Sequence, residues 1–167
     1  MSALELVRTA VLDALQAAGI PAAAAYSADW AAAYDSPVLT VGLGSGSSVR
    51  VGFCDYLGEQ YDEKTATYQE RYGKLLEISM EVDAYSPRSV GTAGCEMILD
   101  QMLHALTAAP PEGVRVWDME WGESAFDQEA DMFRRRVTLR CAAAFIAAVQ
   151  EETGLLLDFK LKGELRH

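Results

Sequence analysis

The sequence predicts an α+β protein in which helices cover one face of a mostly antiparallel or mixed sheet. Two observations predict this class. Apolar residues recur every three or four positions in two segments, as on a core-facing helix, and alternate with polar residues in several others, as in strands. These segments follow the order α-β-β-β-α-β-β-β, and the links between neighbouring strands are mostly short. We therefore expect a two-layer sandwich of about six strands and two main helices.

The two main helices are predicted from their apolar faces and their ends. The first spans 2–19, where Ser2 and Glu5 match a capping box and Gly19 is a stop signal. The second begins near Cys95 and ends before the Pro110–Pro111 pair. The alanine-rich segment 21–35 fits either a short helix or an extended link anchored by Trp30. The apolar faces comprise Leu4, Val7, Val11 and Leu15 in the first helix, and Cys95, Ile98, Leu99, Met102, Leu103 and Leu106 in the second.

The strands are predicted from alternation of apolar and polar residues. Residues 74–85 form the clearest strand, with one apolar face and one acidic face. The Gly42–Ser48 segment is predicted to be a turn, and Phe53 to share a strand face with Val51. Arg115, Trp117, Met119 and Trp121 are predicted to share one side of their strand. The other predicted strands are 37–43, 49–54, 114–121, 133–145 and 155–161, and the 141–150 segment is also compatible with a helix.

Length and charge limit the class of protein. The 167 residues suit a single domain, and we expect one over 1–167. The net charge of −11 argues against binding to a nucleic-acid backbone or an anionic membrane. No apolar run approaches the roughly 20 residues that cross a bilayer, and the N-terminus does not resemble a signal peptide.

The residues that usually carry chemistry are few. His104 lies opposite the apolar stripe of its helix and His167 is the last residue, so a catalytic triad is not expected. Cys95 and Cys141 lie on apolar faces, whereas Cys54 is expected to be exposed. The glycine-rich 42–47 run precedes a strand rather than a helix, which argues against a phosphate cradle. The acidic cluster over 118–131 lacks metal-ligand spacing, so we expect no catalytic residue, cofactor or metal.

Two polar regions are candidates for contacts instead. Residues 57–73 lack an apolar period and carry many charges, which predicts a long polar loop. Arg134, Arg136 and Arg140 would share one strand face, opposite the acidic residues Glu77, Glu81 and Asp83 of another strand. Cross-strand pairing within one chain and pairing between subunits are both compatible with this pattern.

The order of these segments resembles the tail terminator proteins, also called minor tail or tail-completion proteins, of long-tailed phages and prophages. The resemblance lies in KLLEISMEVDAYSPRSVGTAGCEMILDQMLHAL, 74–106, where a strand leads through a small-residue loop into a helix. It continues in VRVWDMEWGESAFDQEADMFRRRVTLRCAA, 114–143, where an acidic gap joins two strands. The similarity spans most of the chain as a pattern, without an invariant motif.

The resemblance implies a structural virion protein rather than an enzyme. It implies a homo-oligomer, with a hexameric ring expected, that caps the tail tube and joins it to head-completion proteins. The location would be the virion, and the host cytoplasm during assembly. The alternatives are another virion or adaptor protein, or a small α+β enzyme or ligand-binding domain. The candidate contact residues are Tyr61, Asp62, Tyr68, Tyr72, Glu123, Asp127, Arg134 and Arg136.

Overall fold

The computed structural model describes residues 2–51 and 53–149, with side chains through 146. These residues form an α+β fold, as the sequence predicts. The described residues divide into two compact units: unit 1 comprises 2–47 and 76–143, and unit 2 comprises 48–51, 53–75 and 144–149. The helices are α1 (Ala3–Ala17), α2 (Trp30–Ala33) and α3 (Thr92–Ala108). The strands are β1 (Ala22–Ala23), β2 (Val38–Arg50), β3 (Tyr56–Asp62), β4 (Thr67–Pro87), β5 (Val114–Trp121), β6 (Ala125–Asp127) and β7 (Met132–Val149).

The strands of unit 1 form a mixed sheet. Their order is β1-β2-β4-β7-β5, and β6 pairs with β7. β1 runs parallel to β2, whereas β5 and β6 run antiparallel to β7. Along β2, Gly42 and Gly46 lie against the backbone of Glu81 and Glu77 respectively, so these two strands run antiparallel. The prediction of a mixed sheet is therefore confirmed.

The main core of unit 1 lies between the sheet and the two long helices. α1 and α3 pack against each other and contribute most of their predicted apolar faces. The prediction is wrong for Leu4, which is 45% exposed because it lies in the first turn of α1, and Leu103 is only half-buried. The predicted cap of α1 is present, because the Glu5 N–H donates to Ser2 Oγ at 3.2 Å. The clearest predicted strand face is also buried. The fully buried side chains are Val11, Leu15, Leu39, Val41, Met80, Val82, Ile98, Met102, Val137 and Leu139, among others.

A second, aromatic cluster in unit 1 contains Trp30. The 21–35 segment combines the two-residue β1 with the one-turn α2, so both alternatives for it were partly right. Trp30 is buried and packs edge-on against Tyr26 and Tyr85, which confirms its role as an anchor. The Tyr26 hydroxyl donates to the carbonyl of Ala130 at 3.1 Å.

The predicted turn at Gly42–Ser48 is wrong, because β2 continues through this segment to Arg50. A Cβ atom at Gly44 would lie 2.6 Å from the carbonyl oxygen of Ser79 in β4. The glycine is therefore needed for a close approach between two strands, rather than for a turn.

The predicted loop over 57–73 is also wrong. β3 and the first part of β4 form an antiparallel hairpin in unit 2, joined by residues 63–66. The pairing joins the backbones of the two strands, and eleven of the seventeen residues in 56–72 are exposed. A strand that is exposed to solvent on both faces needs no alternation of apolar and polar residues. The sequence therefore lacked the pattern that predicts a strand.

The last two long strands differ from prediction in detail. β5 has the predicted bounds but contains a bulge, where Val116 pairs with Cys141 and Asp118 with Arg140. Trp117 is the extra residue and points to solvent, so the prediction that it shares a side with Met119 is wrong. β7 reaches Val149, which makes 141–149 a strand. The predicted strand 155–161 lies outside the described residues, and the acidic gap between the predicted strands 114–121 and 133–145 contains β6.

Candidate interaction surfaces

The β3–β4 hairpin carries two pairs of tyrosines in unit 2. Tyr61 and Tyr68 are directly opposed across the strands, with ring centroids 5.2 Å apart. They are 50% and 65% exposed. Tyr56 and Tyr72 form a second pair at 5.5 Å. We call residues 56–72 the tyrosine hairpin. Exposed aromatic side chains held rigidly by strand pairing are typical of binding surfaces.

Asp62 builds the turn of the tyrosine hairpin. Its carboxylate accepts hydrogen bonds from the Lys64 N–H, the Thr65 hydroxyl and the Gln69 amide, each at 3.0 Å. Ala66 completes the turn with φ of 53°. The structure thus gives this candidate residue a positioning role, since it orders the end of the hairpin that carries Tyr61 and Tyr68.

A strained turn precedes β3 in unit 2. Phe53, Cys54 and Asp55 form a single 3₁₀ turn, with φ of 53° at Cys54 and 64° at Asp55. Left-handed backbone at a non-glycine residue costs about 1–2 kcal/mol. Lys74 lies 3.7 Å from the Asp55 carboxylate. Phe53 is 89% exposed, so the prediction that it shares a strand face with Val51 is wrong.

The basic patch of β7 pairs with acidic residues inside unit 1. Arg136 binds both carboxylate oxygens of Asp83, at 2.9 and 3.1 Å. These hydrogen bonds raise the pKa of Arg136. Arg134 bridges Asp83 at 3.3 Å and Asp127 at 3.1 Å. Of the two alternatives that the sequence left open, pairing within the chain is present for both arginines. The predicted partners are wrong for Arg140, which instead pairs with Asp118 and Glu120 of β5.

Asp127 closes the turn after β6. Its carboxylate accepts from the N–H groups of Ala130 and Glu129, at 3.2 and 3.0 Å, and from Arg134. The hydrogen bond from the Ala130 backbone, with those from Arg134 and Glu129, holds its pKa below the ordinary value of 3.8. Four candidate residues thus line one open depression of about 560 Å³ in unit 1, namely Glu123, Asp127, Arg134 and Arg136. The four candidates from the tyrosine hairpin belong to unit 2.

A groove of about 450 Å³, lined by eight apolar and three charged residues, lies between α3 and the β5–β7 pair in unit 1. Met97 and Trp121 line it and are 49% and 53% exposed. Glu96 and Asp100 lie at its rim, and Arg135 is 3.8 Å from the Glu96 carboxylate. The sequence pattern does not reveal this groove, because strict alternation places Trp121 on the same side as Trp117, and Met97 lies outside the apolar stripe of α3. The residue content of β5 alone does not reveal its bulge.

The histidine and cysteine side chains that could carry chemistry have the exposure that the sequence predicts. His104 is exposed, Cys95 and Cys141 are buried, and Cys54 is exposed, all as predicted. Burial raises the pKa of Cys141 to about 11, which keeps this thiol protonated at neutral pH. In 2–51 and 53–149, no group of three or more His, Cys, Asp or Glu residues could hold a metal ion. No helix in the same ranges is long and apolar enough to cross a membrane.

Comparison with known proteins finds matches among solved structures. No protein-family profile matches the chain, and no curated protein matches it. Among solved structures, the chain is similar to one described as "Virion of native gene transfer agent (GTA) particle". That similarity has a TM-score of 0.36 at 14% sequence identity, and it covers 87% of this chain and 100% of the other. A score this low does not establish a shared fold.

Proposed function

We propose that this chain is a structural virion protein of the tail-terminator type. It assembles into a ring, expected to be hexameric, that caps the tail tube and joins it to the head-completion proteins. It acts by contact and needs no catalytic residue or cofactor. It would belong to the virion after assembly in the host cytoplasm. The sequence pattern over 74–106 and 114–143 motivates this class.

The tyrosine hairpin is the observation that carries the proposal. Two opposed tyrosine pairs stand on a strand pair whose turn is ordered by Asp62. Tyrosine gives a large contact area with little loss of conformational entropy, because few torsions must be fixed on binding. Tyr61 and Tyr68 are at least half exposed, so their rings are available to a partner. We assign this surface to contact with the tube or with a neighbouring subunit.

Charge supports a contact role of this kind. A protein with a net charge of −11 lining a DNA channel would repel duplex DNA rather than bind it. A ring at the end of a tube must let DNA pass smoothly, and this requires a lining that repels DNA rather than binds it. The arginines of β7 do not reverse this repulsion of DNA, because Arg134, Arg136 and Arg140 are all paired with carboxylates.

Imaging of the full chain tests the proposal. We expect closed rings in negative stain, formed by the concentrated protein or at the ends of tail tubes from the same phage. A protein that remains monomeric at high concentration and does not bind tubes would overturn the proposal.

The double variant Tyr61→Ser, Tyr68→Ser tests the assignment of the surface. We expect it to reduce ring or tube binding at least tenfold, as for loss of a binding hot spot. The control is Leu4→Ser, which removes a 45% exposed apolar side chain from α1 in unit 1. Equal binding by the double variant and the control would remove the tyrosine hairpin from the contact.

A further inference from the structure

We propose that two copies of this chain join head to tail, with Phe53 of one copy inserted into the α3–β5–β7 groove of the next. The inference rests on the proposed function, since it names the contact that would close the ring. It uses two features that the sequence pattern did not predict: an exposed aromatic side chain in unit 2 and an apolar groove in unit 1.

Phe53 has the properties of an inserting side chain. At 89% it is the most exposed of the large apolar side chains in the described residues. The turn that carries it contains two non-glycine residues in left-handed conformation, Cys54 and Asp55. Strain of this kind is often concentrated at functional sites. A phenylalanine contributes about 150–250 Å² of buried surface when it enters an apolar site. Because Phe53 is exposed in the single chain, its burial at an interface would contribute favourably to binding.

The groove has the size and lining to receive that side chain. Its volume of about 450 Å³ lies within the range of roughly 300–1,000 Å³ typical of sites that enclose small molecules. Met97, Met119 and Trp121 supply flexible and aromatic surface. Methionine adapts its shape to an incoming group, and its sulfur makes favourable contacts with aromatic rings. A benzyl group is the kind of occupant that this lining favours.

The distribution of charge favours a second copy as the occupant. Unit 1 carries seven basic and sixteen acidic side chains, a net charge of −9, whereas the described part of unit 2 carries four basic and five acidic side chains, a net charge of −1. Contact between the unit 1 surfaces of two copies would bring like charges together, and contact of unit 2 with unit 1 avoids most of this repulsion. Locally, the groove rim carries Glu96 and Asp100, and Arg50 precedes Phe53 by three residues and is exposed. In the proposed contact, Arg50 of one copy would lie near the carboxylates of Glu96 and Asp100 of the next.

Phe53 and the groove are different surfaces, so two copies can pair either reciprocally, as a two-fold dimer, or head to tail. The head-to-tail contact leaves one Phe53 and one groove free. Further copies can then add until the ring closes. An isologous dimer would stop at two subunits. The head-to-tail arrangement is therefore the one that a ring requires.

Photo-crosslinking of the full chain tests the contact without removing the aromatic side chain. Phe53→p-benzoylphenylalanine protein is mixed with ¹⁵N-labelled wild-type protein and irradiated, and crosslinked peptides are identified by mass spectrometry. We expect crosslinks from position 53 to labelled peptides that contain Met97 or Met119. The matched control carries the same group at Leu4 in unit 1, where we expect no crosslink to these peptides.

The outcomes separate this inference from the proposed function. Rings that crosslink from position 53 to other regions, or do not crosslink, would overturn the head-to-tail contact and leave the ring intact. Groove crosslinks in a protein that forms no rings and binds no tubes would support the contact and overturn the tail-terminator function. Phe53→Ser should also weaken self-association at least tenfold with an unchanged unfolding midpoint, whereas Leu4→Ser should not. Unchanged self-association of Phe53→Ser would overturn the contact.

Discussion

Unit 1 and unit 2 differ in what holds them together. The two apolar clusters of the described residues lie in unit 1. In the described part of unit 2, only Glu70 and Gly73 are buried. Unit 2 depends on strand pairing and on aromatic pairs that remain largely exposed. The comparison teaches that unit 1 contains the buried apolar core that supplies stability, while unit 2 carries the exposed tyrosines that we propose contact a partner.

The largest expected effect tests that comparison directly. Leu139→Ala in unit 1 should lower the free energy of unfolding by about 2–5 kcal/mol, because the fully buried side chain would leave a cavity. Tyr68→Ala in unit 2 should lower it by less than about 1 kcal/mol, the usual range for one cross-strand pair. Urea unfolding of both variants provides the measurement. Similar losses for the two variants would contradict the division of roles.

A smaller effect is expected where α3 meets β4 in unit 1. A Cβ atom at Gly94 would lie 2.1 Å from Ser86 Oγ and 2.9 Å from Pro37 Cγ. Gly94→Ala should therefore destabilise unit 1 by about 1–3 kcal/mol through overpacking, although alanine favours a helix. Gly122→Ala is the matched control, since a Cβ atom there meets nothing within 4 Å. A stabilised Gly94→Ala protein would show that this junction is loosely packed.

Much of the fold of unit 1 could be predicted from the sequence because its helices and strands each bury one face. The faces of α1, α3 and the central strand were visible in the sequence because one side of each is apolar and buried. Arg134 and Arg136 were matched with Asp83 for a related reason, since alternation fixes the face on which each charge lies. The bulge at Trp117 could not be read in the same way, because it depends on the register with β7.

The sequence-based predictions were wrong where side chains are exposed to solvent or where glycine provides no side chain. Both faces of the tyrosine hairpin are largely exposed to solvent, so its strands lack the alternation of apolar and polar residues. The glycine-rich part of β2 is extended because β4 approaches it closely at Gly44, a tertiary contact that composition cannot reveal. The remaining signal in the hairpin was its content of tyrosine and threonine, which favour strands. The groove between α3, β5 and β7 was missed because it depends on three elements together.

The smallest expected effect concerns the pH dependence of unit 1. The folded pKa of Asp127 lies below its unfolded value, so ionised Asp127 stabilises the fold above about pH 4. This stabilisation is lost as the pH falls through the folded pKa. Asp127→Asn should therefore lose less stability than wild type between pH 7 and pH 3, with a difference below about 1 kcal/mol. Urea unfolding at the two pH values measures it, and parallel losses would show that Asp127 contributes nothing to acid sensitivity.

Hydrogen exchange tests the central claim most directly, because it reports on both units in one experiment. Amides are compared between dilute protein and protein assembled into rings or bound to tail tubes. We predict that exchange across residues 56–72 slows at least tenfold on assembly, as its edge and side chains become covered. Exchange in the buried part of β4 and in α3 residues that face the core should change little. Unchanged exchange in the tyrosine hairpin, with new protection confined to unit 1, would contradict the account.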